Sequence, residues 1–516
     1  MNAAVSLQSA FDWIDDHLGA IVVKEARQSV RSRFVVAVQF LFIAVLLITL
    51  GAVLVGNDAR DFNRGLGRGV FMAFQVMLYV VCVICVPLYI GLRLAAERSD
   101  ANVDLLFSTT IKPWSVVLGK ISSGLMVGLL AISACAPFMV LCYFLRGVDV
   151  PTIAIALGID VVALVVAAQL AVFIAALPVG GVIKGIAALA YLGFACASIG
   201  INWALVEDLF RGTLVVSWFT DFQKRAKLVT FMLFIAAVCG LFFLMTAALL
   251  SPPTSNRALP VRAYLSAVWL VSAVIAVLLN FGLISADFMP FKVWAVAWSI
   301  IWCLAALVAG SERETLGPRV RAQIPLRSKT NMGAFMLYSG AAGGLFWVSC
   351  MVFMTLVFGV AASFMLGYIF TKGTNDLSGV RDIVLRIAIA DGMTLGYVLL
   401  AGFLRRRFAP HATQPVHTGF WAVALMGMGV LVPLMAVFMF KGTKDFSGVC
   451  MAFPFTPLIQ MDTYSSWRGG DFLASACLAV ILLVLGFTFS LPWLIAQAAV
   501  FRTQPKPQEG GADARA

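Results

Sequence analysis

FVVAVQFLFIAVLLITLGAVLV, Phe34 to Val55, carries no charged residue across 22 positions. At about 1.5 Å of rise per residue, such a run spans roughly 30 Å as a helix, the thickness of a bilayer's hydrocarbon layer. Runs of the same kind recur along the chain. Bounded by charges and turn residues, they fall near 34–55, 70–92, 121–144, 153–177, 183–201 and 228–250, then near 263–283, 290–309, 342–364, 384–404, 419–439 and 472–499. The expected fold is all-α: a polytopic transmembrane helix bundle of about 12 spans in a cell membrane. Composition agrees, because 61% of the 516 residues are hydrophobic and 12% charged, against roughly 25% charged in a soluble domain. A charged segment precedes the first run, which argues against a cleaved signal peptide.

The net charge of +12 sits in short clusters between apolar runs, where lipid headgroups and topology account for it and nucleic acid does not. Arg313, Arg319, Arg321, Arg327 and Lys329 lie between the eighth and ninth spans, and Arg405 to Arg407 end the tenth. Both clusters face the cytoplasm if the N- and C-termini do. Lys224, Arg225 and Lys227 are the external exception and point to a misdrawn fifth or sixth span. Four regions follow: 1–33, a cytoplasmic interfacial helix; 34–250, six spans; 251–501, a second six-span bundle; and 502–516, a disordered cytoplasmic tail.

In the first region Phe11, Ile14, Leu18, Ile21 and Val22 recur at helical spacing, with Asp12, Asp15 and Asp16 early and Lys24, Arg27, Arg31 and Arg33 late. Acid first and base last suits the helix dipole, and one apolar stripe suits a helix lying in the interface. Between the fifth and sixth spans, Trp203, Leu205, Leu209, Phe210, Leu214, Trp218 and Phe222 mix with Glu207, Asp208 and Arg211, as in short external helices. Lys372-Gly-Thr-x-Asp-x-Ser-Gly-Val380 recurs at Lys441 to Val449. A duplicated helix pair that kept a turn accounts for the repeat most simply, and a pair of outer loops packed at a gate is the alternative. Gly340 to Gly344, and Gly180 with Gly181, are read as sites of close helix packing. Cys82 and Cys85, one helical turn apart, are read as packing residues rather than redox or metal groups.

The decisive loop joins the second and third spans. It contains Glu97, Arg98, Asp104, Leu105, Leu106, Thr109 and Pro113, then Leu118, Gly119 and Lys120. This loop resembles that of the membrane permeases of type-2 ATP-binding-cassette (ABC) transporters, which runs Glu, Arg, Glu, x, Gly, Thr, x, Glu, Leu, Leu, x, x, Thr, Pro, Leu, x, Pro and ends in Leu, Gly, Lys. Ser99, Ala101, Asn102 and Thr110 depart from it. The resemblance covers roughly residues 11–250. It implies that 93–120 holds a coupling helix resting on a cytoplasmic ABC ATPase subunit. It also implies that Lys24, Glu25, Arg27, Arg31 and Arg33 belong to an interfacial connecting helix, and that the helices after the fifth span form an external gate. The expected function is a permease exporting a substrate. ATP and magnesium would be held by the partner, since no Gly-x-x-x-x-Gly-Lys-Ser/Thr loop occurs here, and no cofactor or metal by this chain. Membrane lipid is a further expected partner, and a homodimer and a pseudo-dimer of the two halves are both open pairings.

Asp160, Arg386 and Asp391 lie inside spans, where ionisable groups are costly and mark functional candidates. Asp160 or Asp391 could instead couple a secondary transporter to protons or sodium, though pairing or hydration is the simpler expectation for both. Arg386 is expected to reach the outer interface. An embedded enzyme lacks its usual marks: His17, His411 and His417 show no ligand spacing, and no span carries paired carboxylates.

Overall fold

The computed structural model describes residues 20–56, 66–97, 112–145, 148–211, 221–252, 254–283, 289–314, 316–322, 324, 331–370, 377–409, 416–440, 452–459 and 469–502. These are almost wholly helical, and they belong to two compact units, Met1–Pro252 and Pro253–Ala516. Eleven helices among the described residues are long and apolar enough to cross a membrane.

Unit 1 opens with α1 (Ala20–Val30), followed by α2 (Arg33–Gly56). Next comes α3 (66–97), in which a π turn, Val81–Cys85, interrupts an otherwise α-helical rod. It continues with α4 (Pro113–Phe144), α5 (Val150–Ala176), α6 (Gly181–Phe210) and α7 (Phe222–Leu250). Proline near the first turn starts both α4 (Pro113) and α5 (Pro151), where its fixed φ fits and its missing N–H costs nothing. Asp221 caps α7, accepting from the Gln223 N–H at 2.9 Å.

The fourth span, α5, is the hub and packs against α3, α4, α6 and α7. Its buried face is built from Ala156, Ala167, Ala168, Ala171, Ala175 and Ala176. Such small residues let helices approach closely where lipid supplies no hydrophobic drive between them. The hydroxyl of Tyr191 on α6 donates to the Val83 carbonyl inside the π turn of α3. Cys82 in that turn is buried and Cys85 half-buried, and both are free thiols.

Unit 2 holds α8 (Ala258–Leu283), α9 (Met289–Gly310), the short α10 (Pro318–Ala322) and α11 (Asn331–Leu337), and α12 (Ala341–Phe370). It ends with α13 (Leu377–Phe408), α14 (Val416–Phe440), the single turn α15 (Thr456–Ile459) and α16 (Gly469–Arg502). Again the fourth long helix, α13, is the hub, packed on α9, α12, α14 and most extensively α16. Buried indoles between α8, α9 and α12 are satisfied by hydroxyls. Trp269 and Trp302 both donate to Thr355 Oγ1 at 3.0 Å, and Trp294 and Trp298 both donate to Ser272 Oγ at 2.9 Å. In a membrane interior these N–H groups have no water to fall back on.

A Cβ on Gly396 would stand 2.8 Å from the Leu482 carbonyl carbon, which is backbone and cannot swing aside. Gly396→Ala is therefore expected to part α13 from α16 and cost about 1–3 kcal/mol. Thermal unfolding in detergent checks this, and an unchanged midpoint would contradict the packing.

Several expectations are corrected. Span 419–439 is not among them, since it falls within α14, which runs from Val416 to Phe440. The first of the expected external helices after the fifth span is instead the continuation of α6 to Phe210, because no Pro or Gly lies between Gly200 and Phe210, and Asn202, Val206 and Leu209 bury one face. Residues 212–220 lie outside the described residues. Lys224, Arg225 and Lys227 sit in the first turns of α7, which starts at Phe222 rather than 228. Gly343 and Gly344 do lie at close approaches, but nothing stands within 4 Å of a Cβ built at Gly180 or Gly181, so no packing demands glycine there. Gly340 has φ +152° and needs its freedom for conformation. Of the Lys-Gly-Thr repeat, only the backbone of 377–380 is described, as the start of α13.

Candidate functional site

At the end of unit 1 where α3 finishes and α4 begins, four charged side chains from three helices meet. Lys120 Nζ of α4, 2% exposed as a residue, donates to Glu25 Oε2 of α1 at 2.9 Å and to Glu97 Oε1 of α3 at 2.6 Å. Arg93, one turn before Glu97, stands 3.5 Å from both carboxylates. It also donates to Ser29 Oγ and Tyr89 Oη at 3.2 Å each. Two cations and two carboxylates balance, so the cluster is locally neutral, and each charge has several partners, the condition under which buried ions are tolerable.

Local sequence explains the convergence. On α1, Val22, Glu25, Ala26 and Ser29 recur at three- and four-residue spacing and are buried, lying along α4. Lys24, Arg27 and Arg31 face the other way and are exposed, as is Arg33 at the start of α2. The described part of the stripe thus packs on protein rather than dipping into lipid, and Phe11, Ile14 and Leu18 lie outside the described residues. Pro113 starts α4, and Gly119 is buried on it beside Lys120. The segment joining Glu97 to α4 holds Arg98, Asp104, Leu105, Leu106 and Thr109, which lie outside the described residues.

Of the residues singled out from sequence, Glu25, Glu97 and Lys120 come together; Lys24, Arg27, Arg31 and Arg33 do not join them. Arg93, Ser29 and Tyr89 were missed. Arg93 sits at i, i+4 to both Tyr89 and Glu97, a spacing that marks a helical pair.

Unit 2 has a counterpart, also missed. Glu312, just past the second long helix α9, accepts from Arg262 Nη2 of α8 at 2.6 Å and from the Gly340 N–H at the start of α12 at 2.8 Å. Arg262 is 3% exposed, donates as well to the Met336 and Tyr338 carbonyls at 2.8 and 2.7 Å, and stands over Trp347. Glu314 pairs with Arg405 and, at 3.2 Å, with Arg406, whose guanidinium lies 4.1 Å above the Trp493 ring. The signal was the string Glu312-Arg313-Glu314, which repeats Glu97-Arg98 at the same place in the second unit: both stand at the end of the second long helix, Glu97 tied to the third through Lys120, and Glu312 and Glu314 to the first and fourth through Arg262 and Arg405.

The intramembrane candidates lie elsewhere. Asp160 on α5 is wholly buried and accepts from Gln75 Nε2 of α3 at 2.8 Å. Asp391 on α13 is 1% exposed and accepts from Ser299 Oγ of α9 at 2.7 Å, with Cys303 Sγ at 3.4 Å. Each is a carboxylate on the fourth long helix bonded to a neutral group on the second. Among the described residues neither has a basic partner, and each keeps one oxygen without a hydrogen bond. Both carboxylates are thus buried against neutral donors. Arg386, one turn into the candidate span Asp382–Phe408, is 4% exposed and paired with Asp382 at 2.6 Å, and its Nη1 donates to the Pro457 carbonyl at 3.3 Å. No group of three His, Cys, Asp or Glu side chains converges on a metal position among the described residues.

Helix length, apolar surface and buried polar contacts define a multi-pass α-helical membrane protein. The chain matches no protein-family model, no curated protein and no solved structure.

Proposed function

We propose that this chain is the membrane-spanning subunit of an exporter of the type-2 ABC kind, working with a separate cytoplasmic ATPase that binds ATP and magnesium. One observation carries the reading. The Glu25–Lys120–Glu97–Arg93 cluster fastens α1 to both helices that flank the loop resembling that family's coupling helix. A push on the loop at 98–111 is then delivered to α1, α3 and α4 as one body, because separating any pair exposes a buried charge. Rigid helices carry the displacement across the membrane, the requirement of an alternating-access cycle. The Glu312-Arg313-Glu314 string, which follows the second long helix of unit 2 and is fastened to α8 through Arg262 and to α13 through Arg405 and Arg406, supports a second such loop, so that one chain supplies two halves of a permease.

The test is co-purification from the native membrane. Wild-type protein is expected to bring down an ATPase, and the Leu105→Ala variant, which leaves the Glu25–Lys120–Glu97–Arg93 cluster whole, to lose at least about nine-tenths of it while remaining folded. Reproducible absence of an ATPase with the wild type would sink the proposal. The competing reading is an ion-coupled secondary transporter, favoured by the unbonded oxygens of Asp160 and Asp391. It is separated by Asp160→Asn and Asp391→Asn: ATP-driven export survives both, whereas proton- or sodium-driven uptake is abolished.

A further inference from the structure

Beneath the exposed side of α1 lies a groove of about 1280 Å³. Its polar wall carries Lys24, Arg27 and Arg31 of α1, with Arg93 behind them. Its opposite wall is apolar and belongs to the membrane spans, with Phe34 from α2 and Leu88 and Leu92 from α3. Among the described residues no Asp or Glu lines it. Arg93 is already balanced by Glu25 and Glu97, so the uncompensated charge comes from Lys24, Arg27 and Arg31, none of which has an ion-pair partner among the described residues. The only carboxylate described on α1, Glu25, is turned into the cluster with Lys120.

The groove lies where α1 turns into the first span at Arg33, which is the headgroup level of a bilayer. It joins three cations to an apolar slot running along two spans, and its volume is that of an amphiphile rather than of a small ion. We infer that this groove binds an anionic phospholipid from the membrane, with the headgroup phosphate against Lys24, Arg27 and Arg31 and the upper acyl chains along Phe34, Leu88 and Leu92. Arginine and lysine suit phosphate oxygens as donors, and an anionic leaflet already attracts basic side chains beside a span. The inference stands on the groove alone and does not depend on an ATPase partner.

The experiment uses the full chain, delipidated in detergent, titrated with phosphatidylglycerol or phosphatidylcholine and read by native mass spectrometry. Phosphatidylglycerol is expected to bind at least about tenfold more tightly. Lys24→Gln/Arg27→Gln/Arg31→Gln should weaken it by roughly 100-fold, from three basic contacts. All three side chains are exposed, so folding should be spared. The equally charged change Lys224→Gln/Arg225→Gln/Lys227→Gln on α7 should leave binding as it was. Independently of any variant, a photoactivatable phosphatidylglycerol should cross-link wild-type protein within 23–38 and 85–93.

Equal affinity for the two lipids, or equal losses in the two triple variants, overturns the site. Displacement by millimolar inorganic phosphate alone reassigns it to a soluble anion and overturns the lipid. Loss of a co-purifying protein with lipid binding unchanged reassigns the basic wall to that partner and equally overturns it.

Discussion

Lys120→Ala opens unit 1. The lysine is buried between Glu25 and Glu97, and removing it leaves the more buried of those carboxylates facing only Arg93 at 3.5 Å. Breaking a buried pair from one side costs about 3–5 kcal/mol. The natural reporter is the set of buried free thiols Cys135 and Cys142 on α4. Their labelling by a maleimide should accelerate by a factor on the order of 100 to 1000, since it follows the population of the opened unit. Because charge left without a partner is the cause, Glu25→Gln/Lys120→Met should recover at least half of the loss: it leaves Arg93 with Glu97 at 3.5 Å, and a pair replaced whole by neutral groups of similar size is often nearly neutral. No recovery would mean that α4 needs the lysine for shape rather than charge.

Arg262→Ala should do the same to unit 2. The side chain holds Glu312 and the carbonyls of Met336 and Tyr338 ahead of α12, so its loss strips one carboxylate and two backbone acceptors at once. Glu312 keeps the Gly340 N–H, which puts the expected cost near the lower end, about 3 kcal/mol. Cys303, buried on α9, should then label roughly 100-fold faster while Cys135 and Cys142 keep their rates, because each unit has its own core. Equal acceleration at all three thiols would show that the units do not open separately.

The spans were legible because twenty-residue apolar runs have few other uses, and the start of α4 was legible because Pro113 ends one element and begins another. The true extent of α6 was not, since Trp203, Glu207 and Arg211 look like an interface whether or not the helix has ended. For the cluster, resemblance to a family singled out Glu25, Glu97 and Lys120 one by one. Their meeting could not be read, since 95 positions separate Glu25 from Lys120 along the chain and only the packing of α1 on α4 closes that distance. Arg262 with Glu312 was hidden for the same reason. The environments of Asp160 and Asp391 depended on which helix faced theirs, and hydropathy is blind to rotation about a helix axis.

That blindness bears on the π turn of α3. Above it, Gln75 faces Asp160 on α5; below it, Arg93 and Glu97 face α1 and α4. A π turn holds one residue more than the α-helical path it replaces, so everything beyond Cys85 is advanced by about 100° around the rod. The turn is a phase shifter between two layers of polar contact on one helix. Deleting a single residue from Val81–Cys85 would leave the helix continuous and the composition of α3 nearly the same, yet only one layer at a time could then find its partners.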